Sequence, residues 1–321
     1  MKIAIQQLTD LIDRILVTKY SQADAVRIRE IILSAELSGK TSHGIVRLIS
    51  GNTSMMAANP SAPLEVINKS PIASLIKANS NPGMLVMSYA TDEVIGKANS
   101  SGVAFVGTVG TTTTSGYLSY YLRKIAKAGL IGLIMARSSP TIAPFGSKRS
   151  LLGTNPIGFG FPGEKQDFIF DMGSSVISYG ALLKARSMHE DLPEGACLDK
   201  DGNPTINPDE AKSILPFDKG YKGAGIALVV EILAGLLVGS GFSDLKPENQ
   251  WGNLLIAFKP DMFISNSEFK TGLDSLIEYL NANTEGDLPG QRSNREFKQK
   301  MDECFVECDE NVVGEMEKFL K

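Results

Sequence analysis

The chain has 321 residues, enough for two domains or one large elaborated one, with 43% hydrophobic and 21% charged residues as in an ordinary soluble globular protein. Its net charge of −4, with no long basic run, argues against non-specific nucleic-acid binding, which needs a positive surface. Three cysteines, Cys197, Cys304 and Cys308, make no disulfide framework and find no further Cys or His nearby for a zinc site, so the metal reading is none and the expected home is a reducing cytoplasm.

The N-terminus lacks a long apolar core and a small-residue cleavage site, and it does not read as a signal peptide. Residues 3–18 carry Ile3, Leu8, Leu11, Ile12, Ile15 and Leu16 at helical spacing. Ser21-Gln22-Ala23-Asp24 then reads as a capping box, followed by Ala25, Ile28, Ile32 and Ala35 on one face, with Gly39 to end the helix.

Just past that end stands Thr41-Ser42-His43-Gly44-Ile45-Val46-Arg47-Leu48. It places a hydroxyl, an imidazole and a guanidinium within six residues, where loops at helix ends often hold function. The chain has only two histidines. His189, flanked by Met188 and Glu190, reads as a solvated helix-end residue, so imidazole chemistry near neutral pH points to His43.

Residues 59–71 contain three prolines and read as a linker. Ile72–Lys77 reads as a strand, Thr91–Asn99 as a helix and Val103–Thr108 as a short β-rich run. Tyr117–Ala128 is an amphipathic helix closed by Gly129, and Leu130–Ala136 is a buried strand. This alternation predicts an α/β fold, a sheet covered by helices. Pro144–Pro162 is dense in Gly, Pro and Asn and reads mostly as ordered loop; Phe168–Asp171 reads as a strand end, and Asp199–Pro204 as a turn. Gly223–Phe242 is long and apolar enough to suggest a membrane span, but Glu231 sits at its middle and five glycines interrupt it, so it reads as a buried core helix. Trp251–Lys259 supplies another strand, and the remainder is mainly helical, ending with Asp309–Leu320.

Gly158-Phe159-Gly160-Phe161-Pro162-Gly163 matches the spacing of a dinucleotide glycine fingerprint. That mechanism needs a helix to start there and bring its amides to the pyrophosphate. Pro162 sits inside the motif and Glu164–Phe170 looks extended, so the motif is rejected as a Rossmann loop.

Several separated motifs, in order, resemble the type-2 malate/L-lactate dehydrogenase family over roughly residues 8 to 300. They are Ser42-His43-Gly44 with Arg47, Ala143-Pro144-Phe145-Gly146, Gly153-Thr154-Asn155-Pro156-Ile157 and Phe170-Asp171-Met172-Gly173-Ser174-Ser175. Leu192-Pro193-Glu194-Gly195, Tyr221-Lys222-Gly223, Val230–Gly235 and Leu288-Pro289-Gly290 complete the set. The resemblance implies a non-Rossmann nicotinamide-cofactor domain with a mixed sheet, plus a helical domain built from the N- and C-terminal segments. Residues 1–60 and 264–321 would form the helical domain carrying the Ser-His-Gly motif, and residues 61–263 the cofactor- and substrate-binding domain. It also implies a homodimer that uses NADP or NAD. Its substrates are small carboxylates: 2-oxo acids, keto sugar acids, ureidoglycolate-type compounds or cyclic imine 2-carboxylates.

By the same resemblance, His43 is the proton donor and Ser42 supports it. Arg47 holds the substrate carboxylate, and Thr154 faces the substrate. Asp171, Met172 and Gly173, with Tyr221, Lys222 and the turn Gly290, Gln291 and Arg292, contact the cofactor. The residue types suit the chemistry. Carbonyl or imine reduction adds a hydride to carbon and a proton to the heteroatom, and histidine is the natural donor near neutral pH. A planar guanidinium grips a carboxylate with two parallel hydrogen bonds.

The chain also departs from the family. Where many relatives carry a His-Phe-Gly run, aligning on Tyr120-Tyr121 places Thr114-Ser115-Gly116, and a threonine is no acid–base group at neutral pH. The run Thr111–Ser115 reads either as a contact for cofactor phosphate or substrate hydroxyls or as a β-rich loop; Thr113, Thr114, Ser115 and Gly116 are its cofactor candidates. In the imine-reducing branch a relay aspartate follows a His-Gly pair; here the region reads Tyr179-Gly180-Ala181. The resulting reading is an NAD(P)H-dependent reductase with His43 as acid and neither nucleic acid nor membrane as partner. The alternative is a cofactor-binding, catalytically impaired homologue with a binding or regulatory role.

Overall fold

The computed structural model describes residues 1–49, 51–242 and 251–320. Strand β1 (Lys2–Ala4) leads into helices α1 (Ile5–Leu16) and α2 (Gln22–Leu37), and a short α3 (Val46–Ile49) follows. Helix α1 buries Leu8, Leu11, Ile12, Ile15 and Leu16 on one stripe. Helix α2 starts where the Ser21 hydroxyl accepts from the Asp24 amide at 3.2 Å, and it buries Ala25, Ile28, Ile31, Ile32 and Ala35.

The centre of the molecule is a seven-stranded sheet. Its strands are β2 (Glu65–Ser70), β3 (Ala73–Lys77), β4 (Val103–Thr111), β5 (Ile131–Ala136), β6 (Ile157–Phe161), β7 (Phe168–Met172) and, later in the chain, β11 (Trp251–Phe258). Their order is β2-β3-β4-β11-β5-β6-β7. Only the β3/β4 pair is parallel, so the sheet is mixed. Helices α4 (Gly83–Ser101) and α5 (Leu118–Lys127) pack on it. One buried cluster joins residues of α1, α2, α4, α5 and the sheet, from Ile3 to Met316.

Helix α6 (Tyr179–Met188) leads to a small three-stranded sheet of β8 (Cys197–Leu198), β9 (Pro204–Thr205) and β10 (Ser213–Ile214). Helix α7 (Tyr221–Glu231) follows. After β11 come α8 (Asn266–Asn283), α9 (Gln291–Glu303), β12 (Phe305–Glu307) and α10 (Glu310–Phe319). Strand β12 pairs antiparallel with β1, so the C-terminal segment is tied to the first residues of the chain.

Most predicted elements form, and several expectations need correction. The supposed linker 59–71 contains β2, an exposed edge strand whose flanking prolines hid it. The supposed loop Pro144–Pro162 ends in β6 (Ile157–Phe161), which takes up the Gly158–Phe161 part of the glycine motif, and no helix begins there. The helix expected at Thr91–Asn99 starts at Gly83; Met84 to Met87 are buried all round, which erases the helical alternation.

Gly223–Phe242 is not a uniformly buried helix. Helix α7 passes into a π-helical turn at Ile232–Leu236. One face buries Gly223, Ala227, Val230, Glu231 and Ala234. The other leaves Leu228, Val229, Ile232, Leu236 and Leu237 exposed, Leu237 at 66%. Among the described residues, no helix is long and apolar enough to cross a membrane.

Candidate active site

The Ser42–His43 pair lies in a 3₁₀ turn, Thr41–His43, between α2 and α3. The Ser42 Oγ and His43 Nδ1 are 3.0 Å apart. Arg47 folds back and donates from Nε to the Ser42 carbonyl at 2.7 Å. Among the described residues no hydrogen bond engages its two terminal nitrogens, which leaves a two-pronged donor beside the imidazole. Protein surrounds His43, although part of its surface stays accessible. Burial pushes its pKa down to about 4, helped by the positive charges of Arg47 and Lys40. The imidazole is therefore neutral at pH 7. Burial also lowers the Arg47 pKa from its ordinary value, while Tyr179 acts to raise it.

That effect of Tyr179 reflects the approach of α6. The Ser178 hydroxyl caps this helix by accepting from the Ala181 amide at 3.0 Å. Gly180 packs on the histidine turn so closely that a Cβ there would lie 2.6 Å from Ser42 Cβ. A side chain at 180 would thus push α6 off the site. Ala181 is exposed and carries no carboxylate toward His43. Tyr179 enters the site as a residue recognisable in sequence only by the departure from the His-Gly pair.

Thr154 sits on a loop pinned from below. Its Oγ1 is 3.2 Å from Ser138 Oγ, and its carbonyl accepts from the Ser174 amide at 2.8 Å. The next residue, Asn155, is fully buried and donates to Glu231 Oε2 at 2.7 Å and to the Ala227 carbonyl at 2.9 Å. Glu231 in turn pairs with Arg137, 2.9 Å from its Nε. The charged residue inside the apolar segment is thus an anchor for the Thr154 loop.

The expected cofactor residues divide by environment. Asp171 Oδ2 accepts from the Ser119 amide at 3.0 Å and the Ser119 hydroxyl at 2.9 Å, so it caps α5. Met172 and Gly173 continue from the same strand end, and a Cβ on Gly173 would meet nothing nearer than 3.6 Å. Gly290, at φ +85°, rests against the Ile169 carbonyl of β7, where any Cβ would collide. Gln291 closes that turn by accepting from the Leu288 amide at 2.9 Å, and Arg292 stands 3.7 Å from Glu296. Both segments therefore meet on β7.

Tyr221 and Lys222 are exposed in the first turn of α7. The amides of Gly220, Lys222 and Gly223 all donate to Asp218, while the Tyr221 and Lys222 side chains stay exposed. Thr113 is buried and its hydroxyl accepts from the Gly83 amide at 2.7 Å. Ser115 is buried and donates to Asn253 at 2.7 Å. Thr114 is half-buried, and its hydroxyl accepts from the Gly116 amide at 3.2 Å. These bonds knit the run into the protein. A cavity of about 550 Å³ between α2, α5 and α9 is lined by none of the expected site residues.

A family model described as malate/L-lactate dehydrogenase matches residues 3–317. The chain belongs to the malate/L-lactate dehydrogenase family. It is 33% identical to L-sulfolactate dehydrogenase from Methanocaldococcus jannaschii, over 92% of this chain and 89% of that protein. A solved structure of sulfolactate dehydrogenase from that organism superimposes with a TM-score of 0.88 at 30% identity, over 99% of this chain and 96% of the other. It is 31% identical to ureidoglycolate dehydrogenase (NAD⁺) from Escherichia coli K12, over 88% of this chain and 84% of that one. The solved structure of Δ1-piperideine-2-carboxylate reductase from Pseudomonas syringae gives a TM-score of 0.89 at 28% identity, over 99% of both chains.

The protein is thus an NAD(P)-dependent oxidoreductase acting on CH–OH or CH–NH groups, and its cofactor is a nicotinamide nucleotide. The residues present fit such a group. Gly173 is partly exposed at the end of β7, where no side chain of its own covers the backbone, and the exposed Lys222 offers a cation for phosphate.

Proposed function

We propose that the enzyme reduces a small 2-oxo acid of the malate, sulfolactate or keto sugar acid type, or a cyclic imine 2-carboxylate. The observation that carries this reading is the placement of the free prongs of Arg47 beside the Ser42–His43 pair. The bound nicotinamide supplies the hydride. Arg47 grips the substrate carboxylate and orients the reacting carbon. Ser42 holds the imidazole through Nδ1, which leaves Nε2 to face the substrate heteroatom. Thr154 offers a hydroxyl on its pinned loop.

The neutral state of His43 makes the substrate part of its activation. Arg47 and Lys40 help depress the imidazole, so a carboxylate seated on Arg47 cancels part of that field and raises the proton affinity of His43. The acid is then charged in the complex more than in the free enzyme. The relatives that act on sulfolactate, ureidoglycolate and piperideine-2-carboxylate all handle carboxylates, as their names state, which supports this assignment of Arg47.

The helical domain from residues 1–60 and 264–321 would present this turn to the cofactor-binding residues 61–263. The exposed apolar face of α7 supports a homodimer, since a contiguous patch of this kind marks an interface. Three unpaired cysteines agree with a cytoplasmic setting.

The test is oxidation of NADH or NADPH with oxaloacetate, sulfopyruvate and Δ1-piperideine-2-carboxylate, using wild type and His43→Asn. Turnover with one of them that the variant abolishes supports the reading; normal turnover by the folded variant removes His43 as the acid. One observation favours the second reading, a cofactor-binding homologue without activity: the imidazole is held neutral and Ala181 supplies no carboxylate to charge it. That reading predicts saturable cofactor binding with no turnover on any of the three acids.

A further inference from the structure

Glu36 lies at the end of α2 with its side chain in the core, 1% exposed. Its Oε2 accepts from the Ile45 amide at 3.0 Å. The adjoining Gly44 packs so tightly on this carboxyl that a Cβ there would overlap Oε2. The Gly44–Ile45 peptide lies immediately after His43, and the Arg47 amide donates to the Gly44 carbonyl at 2.9 Å. One buried carboxyl therefore touches the backbone that connects the proton donor to the carboxylate-binding guanidinium.

We propose that Glu36 is a positioning residue for the reaction, fixing through the Gly44–Ile45 backbone the distance and angle between His43 and Arg47. This inference rests on the proposed roles of those two residues. Glu36 touches neither substrate nor cofactor; it acts through the turn. The charged and titratable groups around it come from two neighbouring segments, α9 and the start of α10. Lys300 on α9 donates to the Glu36 carbonyl at 3.1 Å and its charge favours the carboxylate. Asp309, which caps α10, disfavours it, and the buried Cys308 thiol lies within its field. Burial dominates these and brings the Glu36 pKa up to about 7. The bond to Ile45 thus changes character across the physiological range, from a charged acceptor to a neutral one.

The experiment follows the Ile45 amide by NMR in the full chain and measures binding of oxalate, a small carboxylate probe that needs no turnover. In wild type the Ile45 amide signal should titrate with a midpoint of about pH 7. In Glu36→Gln, which can still accept through Oε1, the amide should stay protected and stop titrating, and oxalate should bind within about twofold of wild type. In Glu36→Ala the protection should be lost and oxalate affinity should fall about tenfold or more, the scale of a hydrogen bond to a charged group. Cofactor affinity, read by nucleotide fluorescence, should remain unchanged in both variants. A wild-type Ile45 signal that ignores pH, or an alanine variant with unchanged oxalate affinity, overturns the proposal. If the alanine variant does not fold, the wild-type and glutamine titrations decide. If oxalate fails to bind wild type, the reading of Arg47 falls and this proposal falls with it, whereas an Ile45 amide that stays protected in the alanine variant overturns the role of Glu36 alone.

Discussion

Replacing Glu36 by glutamine should stabilise the protein, and only at neutral to alkaline pH. The carboxyl is almost wholly buried, and burial raises its pKa from 4.5 to about 7. Between those values the folded chain holds a proton that the unfolded chain has released. Stability from this group is therefore full below about pH 4.5 and is lost as pH rises through about 7. At about 1.4 kcal/mol per pH unit of separation, the loss amounts to about 3 kcal/mol. Glutamine keeps the shape and the acceptor for the Ile45 amide but never ionises. His43 contributes the opposite trend, since its lowered pKa makes acid conditions destabilising, but both proteins share that contribution. Equilibrium urea unfolding of cofactor-free wild type and variant should agree to within about 1 kcal/mol at about pH 5. At about pH 8 the variant should be the more stable by about 3 kcal/mol. A difference that stays constant with pH, or a wild type that gains on the variant as pH rises, would refute the account of Glu36 as a buried, proton-linked group.

Other consequences are as direct. Arg47→Lys keeps the charge but loses the planar fork, so the KM for a carboxylate substrate should rise about 10- to 100-fold with little change in cofactor affinity, as steady-state kinetics will show. The His43 pKa of about 4 in the free enzyme predicts that kcat/KM for reduction falls about tenfold per pH unit across neutrality, because the proton-bearing form becomes scarce; a flat profile contradicts His43 as the donor. Glu231→Ala removes one partner of a buried ion pair and one of the two acceptors of the Asn155 amide, so it should destabilise by about 3–5 kcal/mol in thermal or urea unfolding. Leu237→Glu places a charge on the exposed apolar face that continues from α7 through its π-helical turn; sedimentation should show a dimeric wild type and a monomeric variant.

The sequence discloses the histidine turn because its signals are local. Gly39 ends a helix with an obvious apolar face, and a cluster of functional side chains follows at once. Strand β6 is harder to see, since alternating glycine and phenylalanine resembles a phosphate loop. What decides its strand identity is pairing with β5 and β7, which is not local. The apolar run of α7 signals burial somewhere but not which face; Gly223, Gly235 and Glu231 mark the covered side only once Arg137 and Asn155 are seen around the carboxylate. Glu36 does leave a trace: a carboxylate four residues after Ile32, on the same stripe as Ile28. Its meaning depends on the Ile45 amide, Lys300 and Asp309 arriving from elsewhere in the chain. Thr113 and Ser115 show the converse, hydroxyls that look available in sequence and prove to be engaged by Gly83 and Asn253.

The central claim is that His43 protonates a carboxylate-bearing substrate held by Arg47. Its most direct test is single-turnover reduction with pre-bound NADH or NADPH and the best substrate among the three acids, comparing wild type with folded His43→Asn. The rate should be lower by about 10²–10⁴ in the variant, the usual contribution of a general acid, with cofactor affinity unchanged. An unchanged rate in the variant would contradict it.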